Sequence, residues 1–276
     1  GPKETNPMPA RPETAATFHA LHHQGLLILP NAWDAASARV TQDIGAKAIA
    51  TSSAAVAWSQ GFADGHHFPT ERLVTVISDI ARVVSVPITC DAEGGYSDDP
   101  KEAAENIGKL IDAGAVGINL EDGKWPHELH LRKIEAIRAV AEKKGVNLYI
   151  NARTDVILKN LVPAEQAIEE TLRRAAAIEQ AGGSGLFVPG IAHAPQISAI
   201  VEGTKLPLNI MARPEAPDAT HLRALGVRRL SAATSLFNVA MAAARDAAED
   251  FLRDGDSDAL WHRRGTPADY NKMFGG

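Results

Sequence analysis

The feature that most constrains the fold of this 276-residue chain is a strand-like segment followed by a helix-like segment, repeated eight times. Each strand-like segment is short and apolar, and the stretch after it has the pattern of a helix. Eight such units in a chain of this size predict one closed (β/α)8 barrel of the TIM type. The alternative, an open doubly wound sheet, usually has a glycine fingerprint after its first strand, and here that turn reads NAWDAAS. The expected strands are residues 25–31, 47–53, the stretch 86–96, 115–121, 146–153, 185–189, 206–211 and 227–231.

The composition agrees with strands that are buried on both faces. Hydrophobic residues make up 45% of the chain but aromatic residues only 5%, so small aliphatic side chains carry the apolar content. The net charge of −6 is spread without long runs of one sign, which argues against a nucleic-acid partner. No apolar run approaches the ~20 residues that cross a bilayer, which argues against a membrane partner.

The start of the chain and its cysteine content bear on processing and location. Gly1 and Pro2 resemble the scar of a protease site, so we expect residues 1–8 to be a tag remnant with a disordered start. Residues 9–276 are then expected to form a single barrel domain. No signal-peptide pattern is visible, and the single cysteine, Cys90, excludes an intrachain disulfide. These features predict a cytoplasmic protein.

Charged side chains stand where three of the expected strands end. The stretch VPITCDAEGGY delivers Asp91 and Glu93 to a glycine-rich turn, and GAVGINLED ends in Glu121 and Asp122. The stretch NLYINARTD brings in Arg153. Because the carboxyl ends of barrel strands share one rim, we expect these groups to surround one small space. That space is the candidate active site.

Several carboxylates on one rim require something to offset their repulsion. A pair about 4 Å apart repels by ~4 kcal/mol at an effective dielectric constant near 20. No cysteine or histidine points to the rim from the strand ends, so oxygen ligands favour Mg²⁺, or Mn²⁺, over zinc. The alternative is that individual acids only cap helices, as Asp34 and Asp99 are expected to do.

A hard cation beside an arginine suits a small, oxygen-rich anion. A 2-oxo acid could chelate the cation through its carboxylate and keto oxygens, and an enolate would be stabilised as a neighbouring bond breaks. Arg153 could hold a second carboxylate or a phosphonate through a forked pair of hydrogen bonds. The backbone N–H groups of Ser52, Ser53 and Ala54 could hold the first carboxylate. This arrangement predicts electrostatic catalysis of a lyase or mutase type.

Six segments of the chain match one known family in order: LPNAWDAASA, TSSAAVAWSQGFADG, PITCDAEGGYS, GAVGINLED, INARTD and LGVRRLSAA. The chain therefore resembles the isocitrate lyase/phosphoenolpyruvate mutase superfamily. The resemblance implies a Mg²⁺-dependent barrel enzyme that acts on small 2-oxo or 2-hydroxy acids. It also implies homodimers or homotetramers in which subunits exchange the last helix, expected at 236–253.

The resemblance also implies roles for individual residues. Asp91 falls on the position that binds the metal directly, and Asp64, Glu93 and Glu121 fall on positions that reach it through water. The turn Ser52-Ser53-Ala54 falls on the site of the substrate carboxylate, and Arg153 on the strand-five arginine. Further candidates for the substrate pocket are Trp33 and Asn209, which stand near strand ends.

The loop after the fourth strand departs from the family pattern. Lyases of this family carry Lys-Lys-Cys-Gly-His there, and this loop reads DGKWPHELH, without a cysteine. Cys90 cannot substitute, because it precedes Asp91 inside a strand. Lys124 and His127 are the candidate catalytic residues that the loop offers. His127 and His130 are three positions apart, but no third metal ligand is evident, so we expect both on the surface.

Three functions stay open from the sequence. The first is a Mg²⁺-dependent enzyme that cleaves or forms a C–C bond next to the 2-oxo or 2-hydroxy acid group of a small carboxylate. The second is a mutase or hydrolase that acts on the C–P bond of a phosphonopyruvate-type substrate. The third is a barrel that binds 2-oxo acids without catalysis. For the first, we expect catalytic roles for Arg153, Glu121, Lys124 and His127.

Overall fold

A computed structural model describes residues 12–276 of the chain. The expected tag remnant at 1–8 lies outside the described residues. The chain divides into two compact units, and the second unit is Thr234–Gly276. The single-domain assignment for 9–276 stays a prediction.

The first unit contains the predicted barrel. Nine parallel strands in residues 12–276 form one sheet in the order β1-β9-β8-β7-β6-β5-β4-β3-β2. Strands β1 and β2 are separated by Pro30 alone, so the two ends of this order meet and the barrel is nearly closed. The (β/α)8 prediction is confirmed, and the extra strand arises because the first one is divided at Pro30, which has no N–H to donate. The strands are β1 Leu27–Leu29, β2 Asn31–Ala32, β3 Ile49–Thr51, β4 Ile88–Asp91, β5 Gly117–Glu121, β6 Tyr149–Arg153, β7 Gly185–Phe187, β8 Leu208–Met211 and β9 Arg229–Ser231.

Helices follow the strands and cover the barrel. The sequence analysis missed α1 and α3. Helix α3 starts directly after β3 because the Ser52 hydroxyl oxygen accepts a hydrogen bond from the Ala55 N–H at 3.3 Å, as an N-cap does. The helices of the first unit are α1 Pro12–Ala20, α2 Ala35–Asp43, α3 Ser53–Ser59, α4 Thr70–Val83, α5 Pro100–Ala113, α6 His127–Lys143, α7 Ala167–Ala181, α8 Ala194–Gly203 and α9 Ala219–Leu225.

A layer of buried polar side chains fills the inside of the barrel. The Asn151 Nδ2 donates to Asn119 Oδ1 at 2.9 Å and to Asn209 Oδ1 at 3.1 Å. The Arg229 Nη2 donates to Asn119 Oδ1 at 3.3 Å, although Arg229 is only 1% exposed. Since side chains alternate along a strand, the residue two positions after Asn119 also faces inward, at the mouth of the barrel. That residue is Glu121.

Helix α1 closes the opposite end of the barrel. The His22 ring stacks on Tyr149 with ring centroids 3.9 Å apart, and Phe18 packs edge-on against both rings. Burial, with the nearby charge of Arg229, lowers the pKa of His22 to about 3. The ring is therefore neutral, and it donates from Nδ1 to the Phe18 carbonyl at 2.8 Å. A neutral acceptor is compatible with the buried Arg229 guanidinium beside its Nε2.

The second unit is a helical segment of its own. It contains α10 Ser235–Asp254, α11 Ser257–Arg263 and α12 Tyr270–Met273. Helix α10 has 20 residues and none of them is buried. Val239 and Leu252 on this helix are 69% and 85% exposed. Subunit exchange of this helix stays a prediction.

Within residues 12–276, no helix combines the length and the apolar character that crossing a bilayer requires.

Candidate active site

The barrel mouth brings together the predicted acids and the predicted arginine. Asp91 is the last residue of β4, Glu121 the last of β5 and Arg153 the last of β6. The strand register sets Glu121 directly beside Arg153, and Asp91 beside Asn119. The inward-facing alternation then places the Glu121 and Arg153 side chains on the same face, above the buried amide layer.

The Asp91 carboxylate is oriented by backbone groups of two neighbouring segments. Its Oδ2 accepts a hydrogen bond from the Ser53 N–H at 3.0 Å, at the first turn of α3. Its Oδ1 lies 3.4 Å from the Glu93 N–H, and its own N–H donates to Thr51 Oγ1 at 3.0 Å. N–H groups at a helix N-terminus are good partners for a carboxylate, so these contacts fix the orientation of the Asp91 side chain.

The Glu93 side chain is held by a strained turn that follows β4. Glu93 has a φ of 51° and is 5% exposed. Its Oε1 accepts from the His66 N–H at 2.9 Å, and His66 Nε2 accepts from the Gly94 N–H at 3.1 Å. A Cβ on Gly95 would lie 2.9 Å from the Ala103 Cβ, so the turn requires glycine there. Burial raises the pKa of Glu93 and Asp91 adds to the rise, while the His66 N–H opposes it.

The charges of Glu121 and Arg153 depend on each other. Burial raises the pKa of Glu121 from 4.5 to about 7; Arg153 opposes this rise, and Asp91 and Asp155 add to it. Burial disfavours the charged form of Arg153, but Glu121 and Asp155 outweigh burial and raise its pKa. Arg153 donates from Nε to Asp155 Oδ1 at 2.8 Å. Among residues 12–276 its two terminal nitrogens donate no hydrogen bond, so the forked end is open to a ligand.

The three carboxylates of the mouth suit a hydrated divalent cation. They are oxygen donors, and their mutual repulsion contributes to the raised pKa of Glu121. In the described part of the chain they do not form a group whose ligand atoms all lie within 4.8 Å of one another. Mg²⁺ usually keeps several waters and binds through one or two carboxylates, so this wider spacing is compatible with it.

We expect Glu121→Gln to stabilise the metal-free protein at high pH. Between pH 4.5 and about 7 the folded state retains a proton on Glu121 that the unfolded chain has lost, so the free energy of unfolding falls as the pH rises. Above pH 7 the penalty is roughly 3 kcal/mol, and glutamine removes it. Urea unfolding in EDTA at pH 5 and pH 8 measures the difference. The exposed Glu105→Gln is the control, and an equal effect of Glu121→Gln at both pH values would contradict the expectation.

In the turn Ser52-Ser53-Ala54, which is predicted to bind the substrate carboxylate, two of the three backbone N–H groups already donate hydrogen bonds within the protein. The Ser52 N–H donates to the Ala32 carbonyl at 3.2 Å, and the Ser53 N–H donates to Asp91. Of the three N–H groups, only that of Ala54 has no hydrogen-bond partner within residues 12–276. The turn stays a predicted binding site, with Ala54 as its open donor.

Four further residues were predicted to belong to the active site: Asn209, Trp33, Asp64 and Lys124. The structure does not bring all of them into contact with the mouth carboxylates. Asn209 is 1% exposed and belongs to the amide layer, where its Nδ2 also donates to Ser231 Oγ at 3.2 Å. Trp33 is half-buried just after β2. Asp64 and Lys124 are exposed, and within residues 12–276 neither forms a hydrogen bond or ion pair with the mouth carboxylates. Their predicted roles stay predictions.

The expectation that His127 and His130 lie on the surface is wrong. They are 5% and 2% exposed, and their ligand atoms lie within 4.8 Å of each other and of Asp122, in a group that could hold a metal ion. Asp122 follows Glu121 along the strand, so its side chain points to the other side of the barrel wall. The predicted role of His127 as the loop acid therefore has no support in this geometry.

A small cavity lies beside the mouth, between three loops. Its volume is about 240 Å³. The Trp125 ring packs edge-on against His66 with centroids 5.1 Å apart, and the Lys133 ammonium lies 5.7 Å from the same Trp125 ring. The Lys133 Nζ donates to the Gly94 carbonyl at 2.7 Å. Sequence analysis missed Lys133, because a lysine inside a helix normally indicates a solvated face. The cavity is lined by His66, Gly94, Tyr96, Ser97, Asp98, Trp125 and Lys133.

A parallel barrel with charged groups pooled at its carboxyl-terminal mouth has the architecture of a TIM-barrel enzyme. The chain belongs to the phosphoenolpyruvate phosphomutase family, whose model matches residues 18–252. The resemblance to the isocitrate lyase/phosphoenolpyruvate mutase superfamily is therefore confirmed. So is the prediction that the chain is an enzyme, since the superfamily consists of lyases, mutases and hydrolases.

Three similar proteins illustrate the range of the family. An uncharacterized protein of Mycobacterium tuberculosis is 32% identical over 87% of this chain and 90% of its own length. The oxaloacetate decarboxylase of Paraburkholderia xenovorans is 26% identical over 85% of this chain and 80% of its own. A solved structure of a Burkholderia cenocepacia protein, provisionally named a phosphonomutase, is 38% identical and has a TM-score of 0.82. It covers 86% of this chain and 99% of that one.

Proposed function

We propose that this protein is a Mg²⁺-dependent lyase that cleaves the bond between C3 and the distal carboxylate of a small 2-oxo dicarboxylate of the oxaloacetate type. The observation that carries the proposal is the shared inward face of Glu121 and Arg153, next to Asp91, at the ends of three adjacent strands. An anionic group and a cationic group side by side suit a ligand that carries both a metal-chelating end and a free carboxylate.

The chain supplies two points of attachment for such a substrate. The open terminal nitrogens of Arg153 bind the distal carboxylate as a bidentate pair. The Ala54 N–H, at the start of α3, is directed to the carboxylate next to the keto group. Together they fix the orientation of the bond that breaks.

The reaction needs charge stabilisation more than it needs a strong base. When the bond between C3 and the distal carboxylate breaks, CO₂ leaves and the electron pair stays on the keto acid as an enolate, which then takes up one proton at C3. A divalent cation held by Asp91, Glu93 and Glu121 would supply positive charge to stabilise the developing negative charge. Glu121, whose carboxyl lies beside Arg153, is our candidate for the group that holds this proton.

The loop after β5 favours decarboxylation within this family. Cleavage of a 2-hydroxy acid requires a base for the hydroxyl and an acid for the departing half, and this loop lacks the cysteine that the family's lyases place there. Decarboxylation of a 2-oxo acid requires no hydroxyl deprotonation. The similarity to the oxaloacetate decarboxylase of Paraburkholderia xenovorans supports the same choice.

The test is a substrate screen with Mg²⁺, with Mn²⁺ and with EDTA. Oxaloacetate, 2-methylisocitrate and phosphonopyruvate are each incubated with the protein, and pyruvate, CO₂, succinate, phosphate and phosphoenolpyruvate are measured. We expect pyruvate and CO₂ to form from oxaloacetate at a rate well above that with the metal ion alone. In EDTA this additional rate should disappear. If no substrate is turned over above the metal background, the proposal is wrong and the non-catalytic alternative is favoured.

Chemistry at a C–P bond is the second candidate. The solved Burkholderia cenocepacia structure, provisionally named a phosphonomutase, favours it at 38% identity. Lys124, exposed in the loop after β5, could contact a phosphonate. In the screen, conversion of phosphonopyruvate without release of pyruvate from oxaloacetate would select this function.

For assembly, we propose that the second unit packs against a second copy of this chain. Helix α10 carries an apolar stripe yet has no buried residue, and exposed apolar surface of this extent marks an interaction site. Light scattering should give a dimer or tetramer for the wild type and a smaller species for Val239→Glu/Leu252→Glu. The control is Asp246→Asn on the same helix. A monomeric wild type at micromolar concentration would contradict the proposal.

A further inference from the structure

Outside the acidic mouth, a buried group of metal-type ligands lies between β5 and α6. It consists of Asp122, His127 and His130, whose ligand atoms all lie within 4.8 Å of one another. The three residues are between 2% and 5% exposed. The two histidines lie on α6, away from the strand ends of the mouth, and they are buried.

The two histidines have unused nitrogens. His130 Nε2 lies 2.9 Å from the Leu120 carbonyl, so Nε2 carries the ring proton and Nδ1 presents a lone pair. The Nδ1 of His130 and both ring nitrogens of His127 are buried, and none of them has a hydrogen-bond partner among residues 12–276. A buried polar atom without a partner destabilises the fold. His130 thus donates from one ring nitrogen to a backbone carbonyl and leaves the other nitrogen without a partner within residues 12–276. Metal-binding histidines usually have this arrangement.

The Asp122 carboxylate is oriented by donors but retains a free lone pair. Its Oδ2 accepts from Thr154 Oγ1 at 2.7 Å and from Arg174 Nη1 at 2.8 Å. Within residues 12–276 its Oδ1 accepts only from the Asp155 N–H, at 2.9 Å, so one lone pair of Oδ1 stays open to a ligand. Arg174 also pairs with Glu170 at 3.0 Å, so its positive charge is compensated beside a cation.

We propose that Asp122, His127 and His130 form a second metal site, specific for a Zn²⁺-type ion and separate from the carboxylates of the barrel mouth. Two imidazoles and one carboxylate, with water in the fourth position, are a zinc donor set, whereas Mg²⁺ prefers oxygen donors throughout. Tetrahedral zinc needs ligand atoms about 3.4 Å apart. The His127 ring can turn to close the group, because no hydrogen bond holds it.

A bound ion would link Asp122, at the start of the loop after β5, to His127, which directly follows the loop. The loop starts at Asp122 and ends before His127, and it carries Trp125, whose ring packs on His66 at the cavity beside the mouth. The ion would therefore fix this loop without contact to Glu121, which faces the opposite side of the strand. The role that we assign to the ion is to hold this loop, which forms one wall of the cavity.

The experiment uses the full chain with Asp91→Asn, which weakens the oxygen-donor site of the mouth. The protein is stripped with a chelator and titrated with Zn²⁺ by calorimetry and with Co²⁺ by visible absorption. We expect one Zn²⁺ per chain with a Kd of about 1 µM or tighter, a tetrahedral Co²⁺ spectrum and a raised Tm. His127→Ala should weaken Zn²⁺ binding at least about 100-fold.

The variants separate loss of the site from loss of the fold. His127 makes no hydrogen bond within residues 12–276, so His127→Ala should fold, and circular dichroism verifies this. His130→Gln retains a donor for the Leu120 carbonyl and should also lose Zn²⁺. The exposed His67→Ala should bind as the parent does. A Kd weaker than about 100 µM, unchanged binding by His127→Ala, or Zn²⁺ binding that Asp91→Asn abolishes would each overturn the proposal.

Discussion

Asp91→Asn is expected to lower turnover of the 2-oxo acid substrate at least about a thousandfold, to the background of the free metal ion. The side chain keeps its size, and its amide oxygen can still accept the Ser53 N–H, which now lies 3.0 Å from Oδ2. What is lost is the negative charge at the centre of the acidic mouth. In the proposed reaction a bound cation would supply several kcal/mol of charge stabilisation in the transition state, and loss of the cation would remove it.

The measurement has a binding readout as well as a kinetic one. Mg²⁺ or Mn²⁺ affinity from calorimetry should fall together with kcat/KM, while the Tm of the metal-free protein should stay at or above that of the wild type. Asp79→Asn, a half-exposed carboxylate on α4 that pairs with Arg82, is the control and should change neither quantity. If Asp91→Asn binds the cation and turns over substrate normally, the metal assignment is wrong.

Arg153→Lys is expected to weaken binding of a dicarboxylate about 10- to 100-fold. Lysine retains the positive charge that faces Glu121 and the buried Asp155, so the fold should tolerate it. It loses the planar fork, and a charge-assisted hydrogen bond contributes about 1.5–3 kcal/mol. The loss should appear in KM and in the Kd of oxaloacetate-sized dicarboxylate inhibitors.

A comparison of ligands makes this second prediction specific. A monocarboxylate 2-oxo acid such as pyruvate has no distal carboxylate for Arg153 to hold, so its Kd should be nearly the same for wild type and Arg153→Lys. The exposed Arg132→Lys is the matched control for the substitution itself. If Arg153→Lys weakens the binding of pyruvate and of oxaloacetate equally, Arg153 does not bind the distal carboxylate.

Much of the mouth could be predicted from the sequence because it depends on local rules. The period-two alternation of a strand and the shared direction of parallel strands suffice to bring Asp91, Glu121 and Arg153 to one rim. The structure confirms the barrel and places these residues at adjacent strand ends. The turn after β4 could also be predicted, because Gly94 and Gly95 follow directly after two acidic residues.

Other parts of the molecule could not be predicted, because they depend on packing between distant segments. The spacing of His127 and His130 was visible, but their burial is set by the contact of α6 with β5 and with Arg174 of α7. The lone pair of Asp122 is likewise defined by partners from the segment just after β6 and from α7. Arg229 is a charged residue in a short strand, and only the amide layer and α1 explain why it is buried.

The sequence by itself determined the class of fold, the family and the chemical character of the barrel mouth. These follow from residue order, since strand period, turn chemistry and motif order are properties of neighbouring positions. Only the tertiary structure decided which N–H groups at the start of α3 are open and that a second set of metal-type ligands exists behind β5. The physical reason is that a lone pair or an N–H becomes available to a ligand only after every other part of the fold has taken its own hydrogen-bond partners.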